Sequence, residues 1–293
     1  MLVRPPASSA DACATSPSIR SARYSSVAYC EPNEVAAWTL SSACSDTLSS
    51  FAVNKTFAVE DGGPFSNNAG FAYLGVDSAR ELVIASFKGS NDTADWIQDF
   101  IGGEFDFSSC ALLSGASVGT VHSGFCEYYV DLAKLGLAAD FVALSRAHPT
   151  FRAVSTGHSL GATAAVLLAY DAYALSGGDV VPTLYTYGQP RVGDYSFSQE
   201  LASRVATSYR LTHWRDTVPH LPLECPFGVK LRSCPYHAAT EIFYVEDSSS
   251  YTVCDGSGED GSCSDQFVVD YGVSDHCSYL ESSIGSICGT CCA

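Results

Sequence analysis

Gly157-His158-Ser159-Leu160-Gly161 sets a serine between two glycines, each two positions away. The residues before it, Phe151-Arg-Ala-Val-Ser-Thr, hold a short β-branched run, and the Ala/Leu-rich stretch after it reaches Tyr170 without a breaker. A strand, a tight turn and a helix follow from that pattern. On such a turn the serine hydroxyl projects above the sheet, and strand and helix approach so closely that only small residues fit at the glycine positions. The helix aims its positive end at the serine, and the Leu160 backbone N–H points to where an oxyanion would form. The same five residues also suit a plain glycine-bounded turn. The flanking strand and helix favour nucleophilic chemistry.

A serine hydroxyl is a poor nucleophile near neutral pH. It needs a histidine base, and that base needs a carboxylate to orient it. In an α/β arrangement the order along the chain is serine, carboxylate, histidine. Of seven histidines, His122 and His148 precede the serine, and His158 is the variable residue of the turn. Asp216 follows a predicted strand and precedes the proline-rich Thr-Val-Pro-His-Leu-Pro222, where a carboxylate belongs, although Asp also forms turns there. His213 and His220 lie too close to Asp216 in sequence to partner it. His276 and His237 remain as candidate bases.

These groups need a scaffold to position them. Glu81-Leu-Val-Ile-Ala-Ser-Phe87 reads as a strand buried on both faces, with further strands at 56–60, 71–76, 183–187, 208–213 and 241–245. Helical patterns cover 19–30, 123–147, the stretch after Ser159 to about Leu175, and 195–206. Strands alternating with helices predict one three-layer α/β domain, a mostly parallel sheet flanked by helices, over 21–293. Residues 1–20, rich in Ser, Ala and Pro, read as a poorly ordered arm. Between Asn91 and Ile101 a short amphipathic segment gathers Trp96, Ile97, Phe100 and Ile101 on one side, opposite Asp92, Asp95 and Asp99. It reads equally as a surface helix or as a lid over an apolar site.

Composition narrows the function classes. With 15 basic against 32 acidic residues the net charge is −17, and no Lys/Arg cluster is present to track phosphates, so nucleic acid is excluded as a partner. No stretch approaches the ~20 apolar residues of a transmembrane helix. Thirteen cysteines in 293 residues point to an oxidising, extracellular setting. The sequons at Asn54 and Asn91 fit it. The N-terminal residues carry no secretory signal, which reads as a mature or engineered start. Cys288-Gly-Thr-Cys291 has redox or zinc spacing but no neighbouring pair or histidine, so a disulfide role is expected and no metal. Cys225–Cys234 is a pairing expected from proximity. Arg191 and Asp194 are expected to hold their own loop as a charge pair.

Several motifs in one order resemble the fungal class 3 lipase family, which includes filamentous-fungal triacylglycerol lipases and related feruloyl esterases. They are Phe87-Lys-Gly-Ser90 with Trp96, Val121-His-Ser-Gly-Phe125, the serine turn, Tyr187-Gly-Gln-Pro-Arg-Val-Gly-Asp194, Asp216 to Pro222, Tyr236-His237 with Glu241, and Asp275-His-Cys-Ser-Tyr-Leu280. The resemblance implies an α/β-hydrolase fold with Ser159 as nucleophile, Asp216 as acid and His276 as base. It puts His237 in a structural segment, Ser90 and Leu160 at the oxyanion hole, and a lid helix at about 91–101. It further implies the disulfides Cys30–Cys288 and Cys254–Cys263. Cys277 departs from the family's apolar residue and reads as a buried free thiol. The expected function is a secreted, monomeric serine hydrolase acting on acylglycerols at an oil–water interface, without cofactor. A feruloyl or aryl esterase, a partial-glyceride lipase and a non-catalytic lipid- or carbohydrate-binding protein of the same fold are the rivals.

Overall fold

Apolar strands from the middle of the chain become the centre of a nine-stranded sheet. The structure, a computed structural model, describes residues 2–3, 17–40, 48–59, 70–90, 106–116, 119–223, 225, 234–238, 240–267 and 271–280. In chain order the strands are β1 (Leu2–Val3), β2 (Phe51–Val59), β3 (Gly70–Asp77), β4 (Leu82–Phe87), β5 (Phe107–Ser108), β6 (Val121–His122) and β7 (Arg152–His158). They continue with β8 (Thr183–Tyr187), β9 (Gly193–Asp194), β10 (Ser208–His213), β11 (Pro235–Tyr236), β12 (Glu241–Tyr244) and β13 (Tyr251–Val253). The helices are α1 (Pro17–Val27), α2 (Pro32–Ala37), α3 (Ser123–Lys134), α4 (Leu137–Ala147), α5 (Leu160–Leu175), α6 (Tyr195–Arg204) and α7 (Val273–His276).

The large sheet runs β1-β13-β12-β10-β8-β7-β4-β3-β2. The strands β4, β7, β8, β10 and β12 are parallel, as the alternation of elements predicts, and antiparallel strands extend both edges. A small antiparallel sheet, β11-β9-β6-β5, lies apart from it. Every residue of β4 is buried. Val83, Ala85 and Phe87 pack with α3, α4 and α5, while Leu82 and Ile84 pack with α1. Period-two alternation thus serves two apolar layers at once. Along α5 every residue from Leu160 to Ala172 is buried, because the sheet covers one side and α3 and α4 the other.

The periodic stretch 123–147 is two helices rather than one. Gly136 takes a left-handed conformation (φ 99°) between α3 and α4 and turns the chain. Helix α1 begins at Pro17, inside the stretch read as an arm, and Leu2–Val3 pairs with β13. Strand β2 begins at Phe51, ahead of the predicted 56–60, and carries a register shift between Val53 and Lys55 where Asn54 is exposed. Among the described residues no helix is long and apolar enough to cross a membrane.

Candidate active site

The carboxyl ends of four neighbouring parallel strands build the site, where open α/β sheets place their ligands. Strand β7 delivers the serine turn. Ser159 stands at φ 57°, ψ −129°, a backbone conformation that non-glycine residues rarely adopt. Its two flanking glycines are sterically required. A Cβ on Gly157 would lie 2.3 Å from the Gly161 carbonyl oxygen, and one on Gly161 would lie 2.4 Å from the Phe87 oxygen. The turn is held by the Ser159 N–H donating to the Tyr187 carbonyl at 3.0 Å, at the end of β8. Helix α5 begins at Leu160. Past the end of β4, the segment of the buried Ser90 packs on the serine turn, hereafter the elbow: a Cβ on Gly89 would come within 2.7 Å of the His158 oxygen.

Strand β10 delivers the carboxylate. Three residues beyond it, Asp216 forms an isolated parallel bridge to Gly272, and the Gly272 N–H donates to the Arg215 carbonyl at 2.8 Å. That bridge sets the short helix α7 against the Asp216 loop, and α7 ends in His276. His276 Nδ1 lies 2.9 Å from Asp216 Oδ2 and 3.0 Å from Oδ1, both groups buried. Asp216 also accepts from the Val218 N–H at 2.8 Å and from the Tyr279 hydroxyl. Burial by itself would raise this carboxyl. The His276 charge and the bonds from His276, Tyr279 and Val218 outweigh it and hold Asp216 below the usual carboxylate range. Gly188, past the end of β8 with φ 54°, leaves room for the ring: a Cβ there would meet His276 Cε1 at 2.6 Å. The His158 ring, adjacent to Ser159, lies 4.4 Å from the His276 ring, centroid to centroid. Ser159 Oγ and His276 Nε2 are both buried, and neither has a hydrogen-bond partner. A buried, unpaired hydroxyl and a carboxylate-oriented imidazole with one nitrogen unpaired, on segments that meet where the His158 and His276 rings stack, are the equipment of nucleophilic catalysis.

Known proteins share sequence and fold with this chain. The profile of the family described as lipase (class 3) matches residues 84–225. A secreted mono- and diacylglycerol lipase of Fusarium solani is 36% identical over 185 residues, 63% of this chain and 52% of that protein. A lipase of Rhizomucor miehei is 34% identical over 215 residues, 71% of this chain and 54% of that protein. A solved triacylglycerol lipase whose catalytic centre is a serine protease triad superposes with a TM-score of 0.74 at 27% identity, over 92% of this chain and 94% of that one. The chain is similar in sequence and fold to the class 3 lipases. It spans about half the length of the sequence relatives it matches.

Within this class 3 lipase fold the rival histidines are occupied elsewhere. His237 Nε2 donates to the Pro219 carbonyl at 2.7 Å, and burial pushes its imidazole well below the usual value. His213 lies against the Asp275 and Glu246 carbonyls. Arg191 does not pair with Asp194. It binds Glu259 at 2.7 and 2.9 Å across the fold, because Asp194 caps α6 through the Phe197 N–H and accepts from Thr120. The disulfides Cys225–Cys234 and Cys254–Cys263 are present, and Cys110–Cys126 is an unforeseen third. Cys277 is disulfide-bonded rather than a free thiol, and Cys30 is bonded too. Cys288, Asn91 and the predicted lid residues Trp96, Ile97, Phe100 and Ile101 lie outside the described residues. Among the described residues the one compact metal-ligand cluster is Cys254, Asp260 and Cys263, whose sulfurs are joined to each other and so offer no thiolate. Sequence reasoning missed Tyr279. It lies past the end of α7, where no helical spacing marks it.

Proposed function

We propose that this chain hydrolyses acylglycerol esters through an acyl-enzyme formed on Ser159. The observation that carries the reading is the buried His276–Asp216 pair, stacked on the His158 ring that immediately precedes a strained, unpartnered serine. His276 Nε2 takes the proton from Ser159 Oγ as the oxygen attacks the ester carbonyl. Asp216 orients the ring and stabilises its cationic form. The backbone N–H groups of Ser90 and Leu160, with the Ser90 hydroxyl, stabilise the oxyanion, and one such donor is typically worth ~10²–10³ in turnover. His276 then returns the proton to the departing alcohol. Water, deprotonated by the same ring, releases the fatty acid. No step draws on a cofactor.

Names of the relatives support acylglycerols as the substrate class, both partial glycerides and triglycerides. The apolar set Trp96, Ile97, Phe100 and Ile101 supports a lipid interface over a soluble sugar ester. A dense disulfide complement and relatives named as secreted support an extracellular protein. The decisive test is Ser159→Ala with a serine-directed phosphonate as probe. Ester hydrolysis and labelling disappear while the thermal midpoint changes little. Turnover retained in that variant, or a wild type inert to both ester and phosphonate, overturns the reading. A rate jump on long-chain esters above their solubility limit separates lipase from feruloyl esterase.

A further inference from the structure

The elbow contributes a second imidazole that the proposed chemistry leaves unused. His158 is fully buried, and both of its ring nitrogens are engaged. Nε2 lies 2.8 Å from the backbone carbonyl oxygen of His276. A carbonyl only accepts, so Nε2 carries the proton, and Nδ1 of the neutral ring is the acceptor. Tyr29 supplies the donor to it, with its hydroxyl 2.8 Å from Nδ1. The Tyr29 oxygen in turn faces the Gly89 backbone N–H, one residue before Ser90. The groups run in one directed line: Gly89 N–H, Tyr29 O–H, His158 ring, His276 carbonyl. They join the turn beyond β4, the end of the first helical segment, the elbow and α7.

We infer that His158 is a positioning residue: with Tyr29 it clamps the His276 backbone and ties it to the turn that carries Ser90. The inference rests on the hydrolase reading above. Two physical facts give the clamp its value. The His276 side chain is oriented by Asp216 at one nitrogen only, so rotation and drift of α7 must be stopped at the backbone, four residues into a helix too short to hold itself. The clamp must also carry no charge, because its ring stacks 4.4 Å from a ring that turns cationic in each cycle. Burial, reinforced by His276, lowers the His158 imidazole to about 3, so it stays neutral wherever an ester hydrolase works. Tyr279 closes the remaining side with its ring 5.9 Å away, and burial raises the phenols of both Tyr29 and Tyr279, which keeps them protonated as donors.

The test compares His158→Phe, His158→Gln and Tyr29→Phe with wild type on a soluble short-chain ester. Active sites are counted by phosphonate titration, and kcat and KM are measured across pH. Phenylalanine keeps the ring and loses both hydrogen bonds. Glutamine keeps an amide N–H in reach of the His276 carbonyl. Losing the clamp corresponds to about one hydrogen bond, hence about a tenfold fall in kcat per titrated site, with KM nearly unchanged. The acid limb of kcat/KM also shifts, a readout that a purely structural loss would leave in place. His158→Gln restores most of both losses, and Tyr29→Phe reproduces them in part. An unchanged kcat and acid limb in His158→Phe, or glutamine as damaging as phenylalanine, overturns the inference while leaving the hydrolase reading intact. Should His158→Phe fail to fold, Tyr29→Phe decides alone: an unaltered pH profile there rejects the clamp. An inert wild type rejects both readings together.

Discussion

Asp216 is the residue on which most of the site's electrostatics meet. Three donors converge on a buried carboxylate, and only one of them, His276, belongs to the proposed reaction. Removing the phenol hydroxyl in Tyr279→Phe leaves a buried carboxylate with one partner fewer, so its charge is less well stabilised and its orientation toward His276 is looser. A hydrogen bond to a charged group contributes about 1.5–3 kcal/mol, which predicts a fall of about tenfold or more in kcat, measured with soluble ester on phosphonate-titrated protein. A Tyr279→Phe enzyme turning over at the wild-type rate would show that the third donor only fills space. Ser159, Asp216 and His276 were legible because each sits in a segment whose residue types announce a job. Tyr29 and His158 were not. Their contact joins positions 129 residues apart, and neither residue type betrays it.

At the scale of elements, the loop around the small 254–263 disulfide is fastened to the site's scaffold by buried charge. Arg191 grips Glu259 at 2.7 Å, and Asp265 lies 3.5 Å from the same guanidinium. Burial and the neighbouring Glu259 charge raise the Asp265 carboxyl from its ordinary 3.8 to about 7. The folded protein therefore keeps a proton between pH ~4 and ~7 that the unfolded chain has already released. Stability conferred at Asp265 is complete at the acid end of that range and declines as pH rises through it. Asp265→Asn, neutral throughout, flattens that part of the curve, as urea midpoints measured at pH 5 and pH 7.5 will show. Equal pH slopes in variant and wild type would remove Asp265 from the account. Strands were read well where apolar runs were long, as in β4. The break at Gly136 escaped because the apolar period continues across it, and helical periodicity does not register a single left-handed residue. The Arg191–Glu259 pair escaped for a related reason. Proximity in sequence pairs charges within one loop, whereas the fold satisfies each partner separately.

Considered whole, the molecule supplements a two-layered core with covalent ties. Cys110 and Cys126 are both buried in the apolar cluster that packs α3 on the sheet, at a sequence separation of 16. In the chain-entropy account a loop of that size is worth about 3 kcal/mol. The double variant Cys110→Ser, Cys126→Ser is expected to melt several degrees lower while its active-site titre at low temperature stays near one per chain. An unshifted midpoint would mean that the cluster closes this region without the bond. The cysteine count pointed to such ties, but spacing in sequence could not say which sulfurs meet, and this pair lies between a loop and a helix.

The bend at Ser159 has one more implication, for anyone improving the protein. Glycine at 159 relaxes a backbone that serine holds in an awkward posture, and it removes the reactive oxygen in the same stroke. Screens that reward heat tolerance alone will drift toward inert survivors, so variants must be ranked by turnover as well as by endurance.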